Sequence, residues 1–168
     1  MTTIRPARPE EAATLSEIER LSGERFREVG LDDVADDEPS SAEDYGEYIA
    51  ANRAWVVEAE EPVGFIVVSE VDGAAHINQL SVIPALHGRG LGRALVEQAG
   101  RWAVDNGRTE VTLTTFDHVP WNRPLYEHLG FRVLTAADVG PELRAILDHE
   151  AEEGLDPAVR VAMRKSLS

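Results

Sequence analysis

Gly88, Gly90 and Gly92 stand in the run His87-Gly88-Arg89-Gly90-Leu91-Gly92-Arg93, between residues that read as a strand and residues that read as a helix. Glycine lets the backbone adopt positive φ and come close to a ligand. The first amides of a helix have no partner inside the helix. Strand, glycine turn and helix start, in that order, make a place for an anion, typically a phosphate. Two familiar uses of this device fail on spacing. A P-loop needs G-x-x-x-x-G-K-[ST], and the chain has no such run. A dinucleotide fingerprint needs G-x-G-x-x-G, whereas these glycines are spaced G-x-G-x-G and Arg93 occupies the place of the third.

The elements that must hold this turn follow from periodicity. Residues 3–8 read as a first strand. Pro9-Glu10-Glu11 opens a helix, with acids in the first turn where the dipole favours them, and Leu15, Ile18 and Leu21 form its buried stripe. Residues 30–52 are the most acidic stretch, read as a loop to about Pro39 and a short helix over 42–51. Three strands follow at 54–59, 63–71 and 75–83, with Asp72-Gly73 as a hairpin signal between the last two, so an antiparallel meander is expected. His76 and Asn78 share one face of the third of these strands, because side chains repeat every two residues. Leu91, Ala94, Leu95, Ala99 and Trp102 recur at helical spacing up to Asn106-Gly107. Then come a β-branched strand at 110–116, a helix at 121–129, a strand at 131–134, a helix at 141–153 broken by Pro157, and a last strand at 159–163. The sum is a single α/β domain over residues 1–168, mainly antiparallel in its first half and alternating in its second.

The segment Gln79-Leu80-Ser81-Val82-Ile83-Pro84-Ala85-Leu86-His87-Gly88-Arg89-Gly90-Leu91-Gly92 resembles the signature of the GNAT family of N-acetyltransferases, Arg/Gln-x-x-Gly-x-Gly/Ala after a strand ending in a Leu-x-Val-like pattern. His87 stands where that signature has Arg or Gln. A second segment, Pro120-Trp121-Asn122-Arg123-Pro124-Leu125-Tyr126-Glu127-His128-Leu129-Gly130-Phe131, is similar to the family's later motif. There an Asn opens a helix that carries a Tyr before a Gly-Phe pair. Asn122 can cap the helix, and Tyr126 lies four residues before Gly130. The resemblance covers most of the chain. It implies an α/β (α+β) fold with a mixed, mostly antiparallel central sheet, splayed in the middle and flanked by helices. It also implies acetyl-CoA as cosubstrate, with its pyrophosphate on residues His87, Gly88, Arg89, Gly90, Leu91, Gly92 and Arg93. The pantetheine arm is expected along Leu80, Ser81 and Val82, with Asn122 and Tyr126 completing the coenzyme site.

Acetyl transfer to an amine requires a deprotonated amine, a donor for the thioester oxygen as it gains charge, and a proton for the departing thiolate. The resemblance makes Tyr126 the acid and a backbone amide near Val82 the donor. For the base two readings stand level: His76, whose ordinary pKa near 6.5 suits the task, or a water chain to solvent. Family members often carry Glu at the place of Asn78, which cannot act as a base. The acidic stretch lies where the family builds one wall of the acceptor site, so Glu43, Asp44 or Tyr45 could hold a cationic amine; Asp117, His118 and Trp121 are further candidates to line it. An acyl-CoA-binding sensor or interaction module without catalysis is the alternative reading.

Charge agrees with these partners. Thirty-one acids against 16 Lys and Arg leave a net charge of −15, which disfavours nucleic acid and anionic membrane and favours a protonated amine on a small molecule or peptide. Cysteine is absent, so disulfides, thiolate zinc sites and a cysteine nucleophile are excluded. No His/Asp/Glu spacing suggests a metal site. No apolar run approaches the roughly 18 residues of a membrane span, and the first residues lack an apolar signal region, so a cytoplasmic location is expected. The family's habit of pairing makes a homodimer an expected assembly.

Overall fold

The computed structural model describes residues 2–167. Seven strands form one mixed sheet, flanked by helices. The strands are β1 (Thr3–Pro6), β2 (Ala54–Glu58), β3 (Pro62–Val71), β4 (Ala74–Val82), β5 (Glu110–Phe116), β6 (Arg132–Val133) and β7 (Arg160–Ser166), in the spatial order β1-β2-β3-β4-β5-β7-β6. Strand β4 pairs with β5 in parallel, whereas β1–β2, β2–β3, β5–β7 and β6–β7 run antiparallel. The helices are α1 (Ala12–Gly23), α2 (Asp32–Asp36), α3 (Ala42–Ala50), α4 (Leu91–Asp105), α5 (Arg123–His128) and α6 (Pro141–Glu152). The expected mostly antiparallel, helix-flanked sheet is therefore present.

The chain divides into two compact units. The first holds the chain up to Val68 together with Asn78–Ala99. Its core joins Leu15 and Ile18 of α1, Tyr45 and Ile49 of α3, Ala54 and Val56 of β2, and Phe65 and Val67 of β3. Each large apolar side chain so buried contributes about 1.5–3 kcal/mol. Val63 to Val68 are all buried, as expected of an inner strand covered on both faces. Gly64 sits there because space is lacking. A Cβ on it would lie 2.9 Å from the Ser81 carbonyl oxygen and 2.9 Å from Val57 Cγ1.

The second unit holds Ser69–Ile77 and the chain from Gly100 onward. Its core includes Val71, Leu134, Leu143 and Ala162. Asp72 and Gly73, at φ +51° and +77°, make the tight hairpin turn that their sequence announces. Asp72 has a second task. Its Oδ1 and Oδ2 accept the Glu142 and Leu143 amides at 2.9 Å each, and its own amide donates to Glu142 Oε1 at 2.7 Å. This is a helix cap supplied from 70 residues away, and it serves a helix whose own N-cap residue, Gly140, has no side chain to offer.

Among the elements that differ from the sequence reading, three stand out. Residues 32–36, expected as loop, form α2, whose Val34 and Ala35 amides both donate to Leu31 O at 3.1 Å and whose Ala35 is buried. Pro9–Glu11 forms a 3₁₀ turn before α1 rather than its first turn. The last strand runs to Ser166 rather than Met163, because the full length of β5, Glu110 to Phe116, pairs with it. The polar end of β7 is also held by Arg164, whose Nε is 2.9 Å from Glu110 Oε2.

Candidate active site

Within the first unit, β4 delivers the chain to the glycine turn. The Ile83 amide donates to Val63 O at 2.9 Å, toward β3. Backbone groups alternate along a strand, so the N–H and C=O of Leu80 and Val82 point to the opposite edge of β4. Ser81 is buried between them, and its Oγ accepts from Gln79 Nε2 at 2.9 Å. A 3₁₀ turn at Pro84–Leu86 then leads to His87.

Gly88 and Gly90 adopt φ +81° and +78°, a region that side-chain-bearing residues rarely enter. The Ala94 amide donates to Gly90 O at 3.1 Å, which starts the helical ladder of α4. The amides of Gly90, Leu91, Gly92 and Arg93 lie ahead of that bond, at the positive end of the helix dipole. A Cβ on Gly88, Gly90 or Gly92 would meet nothing within 4 Å, so the space above the turn is open. The side chains of the turn divide by role. Leu91 is buried in the core. Arg89 is exposed, and Arg93 is exposed with its Nε 3.3 Å from Glu97 Oε1. The arrangement fits a pyrophosphate bound chiefly by backbone amides.

His87 faces inward. Its Nε2–H donates to Val82 O at 2.7 Å, and its Nδ1 accepts from Arg25 of the 3₁₀ segment Glu24–Val29. Both ring nitrogens are thereby engaged within the protein, which leaves phosphate contact at this position to the backbone. Arg25 was not legible as a site residue, since the contact joins positions 62 apart and no local pattern signals it.

The acidic stretch also sorts itself. Glu43 and Asp44 are exposed on the first turn of α3. Tyr45, expected as a candidate contact for an amine, is 1 % exposed; its ring meets Phe65 edge-on at 5.1 Å and its hydroxyl donates to Glu19.

Within the second unit, the parallel ladder of β4 to β5 comprises Ala75 with Val111 and His76 with Thr112. His76 is 2 % exposed and its Nδ1 lies 2.8 Å from Thr112 Oγ1. Burial pushes its pKa down to about 4. A ring so buried and so weakly basic suits the positioning of β4 against β5 better than proton removal from a substrate, one of the two readings left level for the base. Asn78 is exposed.

Tyr126 lies on α5, buried, with its ring edge-on to Phe131 at 5.7 Å. Burial pushes its phenol up to about 12, against the opposing pull of the Arg160 cation. It therefore carries its proton throughout the neutral range. Asn122 occupies the position before α5, but its side chain makes no capping bond, contrary to expectation. Asp117 instead pairs with Arg123, and His118 meets Phe116 edge-on at 6.0 Å. Sequence reading missed Arg160. Its guanidinium lies 4.5 Å from the Phe116 ring centroid and within 3.3 Å of both Thr114 Oγ1 and Glu150 Oε1.

The fold and the turn together define an α/β protein in which a mixed sheet feeds a glycine turn and a helix. Comparison carries this further. The model of the acetyltransferase (GNAT) family matches residues 15–131, well over half of the chain, and the protein belongs to that family. Solved structures with this fold include the PaiA N-acetyltransferase of Thermoplasma acidophilum in complex with coenzyme A. Its TM-score is 0.71 at 18 % identity, over 99 % of each chain. The ribosomal-protein-S18-alanine N-acetyltransferase of Escherichia coli gives 0.68 at 19 % identity, over 100 % of this chain and 95 % of that one. N-acetylglutamate synthase of Neisseria gonorrhoeae, complexed with coenzyme A and N-acetyl-glutamate, gives 0.73 at 16 % identity; the present chain is covered in full and spans 35 % of the length of that enzyme. No helix among the described residues is long and apolar enough to cross a membrane.

Proposed function

We propose that this chain, acting as one catalytic domain, moves an acetyl group from acetyl-coenzyme A directly onto the primary amine of a small molecule or peptide in the cytoplasm. The observation that carries the proposal is the glycine turn at the start of α4, with Gly88 and Gly90 at positive φ and open space above it. Acetyl-coenzyme A supplies the acetyl group as an activated thioester. The amides of Gly90, Leu91, Gly92 and Arg93 would hold its pyrophosphate, and the outward backbone groups of Leu80 would pair with its pantetheine arm. Asn122, whose side chain is not spent on capping, is a further contact.

The Val82 amide donates to the oxygen that gains negative charge. Tyr126 holds the proton that the departing sulfur takes. Proton removal from the amine falls to water rather than to His76, given the burial of that ring. The net charge of −15 favours a cationic acceptor. Membership of the family and the coenzyme A complexes of PaiA and N-acetylglutamate synthase support the reading.

The test is release of free thiol from acetyl-coenzyme A on addition of each member of a panel of polyamines, aminoglycosides, amino acids and peptides. With the best acceptor, Tyr126→Phe is expected to lower kcat about 100-fold with little change in KM. An unaltered kcat would remove Tyr126 from the mechanism. A second reading, a coenzyme-binding sensor without catalysis, is favoured by the exposed amide of Asn78 and the buried His76 on one strand face, which leave no open base there. Coenzyme binding without thiol release across the whole panel would select it.

A further inference from the structure

We infer that His87 is a positioning residue for the coenzyme turn, a clasp that ties the carbonyl of Val82 to Arg25 and so fixes the end of β4 against the glycine turn. The inference rests on the reading that coenzyme A binds there. The geometry lies within the first unit. His87 Nε2 is 2.7 Å from Val82 O, a carbonyl on the outward edge of β4, and Nδ1 meets the Arg25 guanidinium. A carbonyl can only accept and a guanidinium can only donate. The imidazole between them is therefore neutral, with its proton on Nε2.

The two bonds hold two things at once. They fix the peptide that follows Val82, whose far side is already tied by the Ile83 amide to Val63. They also hold the residue immediately before Gly88, where the backbone turns into the left-handed region. The sequence signature has Arg or Gln at this place, and the clasp separates the two chemically. Gln offers a donor and an acceptor, as neutral His does. Arg offers donors only, and would bring a second cation to Arg25.

Protonation of His87 would have the same effect as Arg, because both ring nitrogens then donate. Burial and the Arg25 charge hold the His87 pKa below its ordinary 6.5, against the pull of the Val82 bond and of Glu28. Glu28 Oε2 lies 3.7 Å from Arg25 Nε. The clasp is present in the neutral range and is lost only as the pH falls through the lowered pKa of the folded protein.

The experiment is calorimetric titration with coenzyme A of the wild type, His87→Gln, His87→Arg and His87→Ala at pH 7.5. Gln should bind as the wild type does, and Arg and Ala should bind about fivefold more weakly, the value of one net hydrogen bond. Equal affinity of Gln and Arg would overturn the clasp while leaving coenzyme binding intact. Failure of the wild type to bind coenzyme A would overturn the functional reading and the clasp with it. Ring nitrogen chemical shifts of free wild-type protein supply a measure independent of ligand: an Nε2–H tautomer is expected, and an Nδ1–H tautomer would overturn the clasp.

Discussion

Asp72 joins the hairpin between β3 and β4 to the start of α6, and replacing it tests whether that remote cap is real. Two helix amides, of Glu142 and Leu143, rest on its carboxylate at 2.9 Å each. Losing a side-chain cap costs about 0.5–2 kcal/mol. Losing a negative charge at a helix N-terminus costs about 0.3–1 kcal/mol more. Asp72→Asn keeps one acceptor and tolerates the left-handed backbone, so about 1–2 kcal/mol is expected for it. For a chain of this length that is a fall of about 2–8 °C in Tm. Asp72→Gly removes the cap without backbone strain. Asp72→Ala removes it and adds about 1–2 kcal/mol of strain at φ +51°. The order of stability should be Asp, Asn, Gly, Ala. Calorimetry at pH 7 gives the ladder, and hydrogen exchange at the Glu142 and Leu143 amides shows whether the loss is local. An Asn variant within 1 °C of the wild type, with both amides still protected, would refute the cap.

Two further outcomes are expected. Burial raises the Glu19 carboxyl above its ordinary 4.5, despite its bonds from Tyr45 and Ser40. The folded state thus takes up that proton before the unfolded state does, and the group's destabilising effect appears as the pH rises through the window just above 4.5. Glu19→Gln should therefore be more stable than the wild type at pH 7.5, with the difference shrinking toward pH 4.5; a less stable variant at pH 7.5 would contradict this. Gly64→Ala should cost about 1–3 kcal/mol, or ~2–12 °C in Tm, because its methyl group would meet the Ser81 carbonyl at 2.9 Å and Val82 Cγ2 at 3.1 Å. It should weaken coenzyme A binding as well, by moving the end of β4, and unchanged affinity would separate that strand from the site.

The parts legible in the sequence are those written in local chemistry. Asp72-Gly73 announced its hairpin, Leu91 to Trp102 announced α4 by period, and the glycines of the turn declared a backbone that side chains would forbid. The parts that escaped are tertiary. Nothing near Arg25 marks it as a partner of His87, and nothing near Asp72 marks it as the cap of a helix 70 residues on. The reach of β7 to Ser166 depends on the length of β5, since Arg164, Lys165 and Ser166 carry no strand pattern of their own. The surroundings of His76 escaped for the same reason: alternation gives its face, but only the Thr112 hydroxyl opposite shows that the face is filled there.

The central claim is that the glycine turn holds coenzyme A, and thermal unfolding with acetyl-coenzyme A, coenzyme A, ATP and NAD in parallel tests it most directly. A ligand that binds only the folded protein raises Tm by mass action, by about 2.7 kcal/mol of stability at 100 times its Kd. For this chain that is ~5–11 °C. Such a rise is expected with both forms of coenzyme A and none of that size with ATP or NAD. No rise with either form of coenzyme A, or a larger one with a nucleotide, would contradict it.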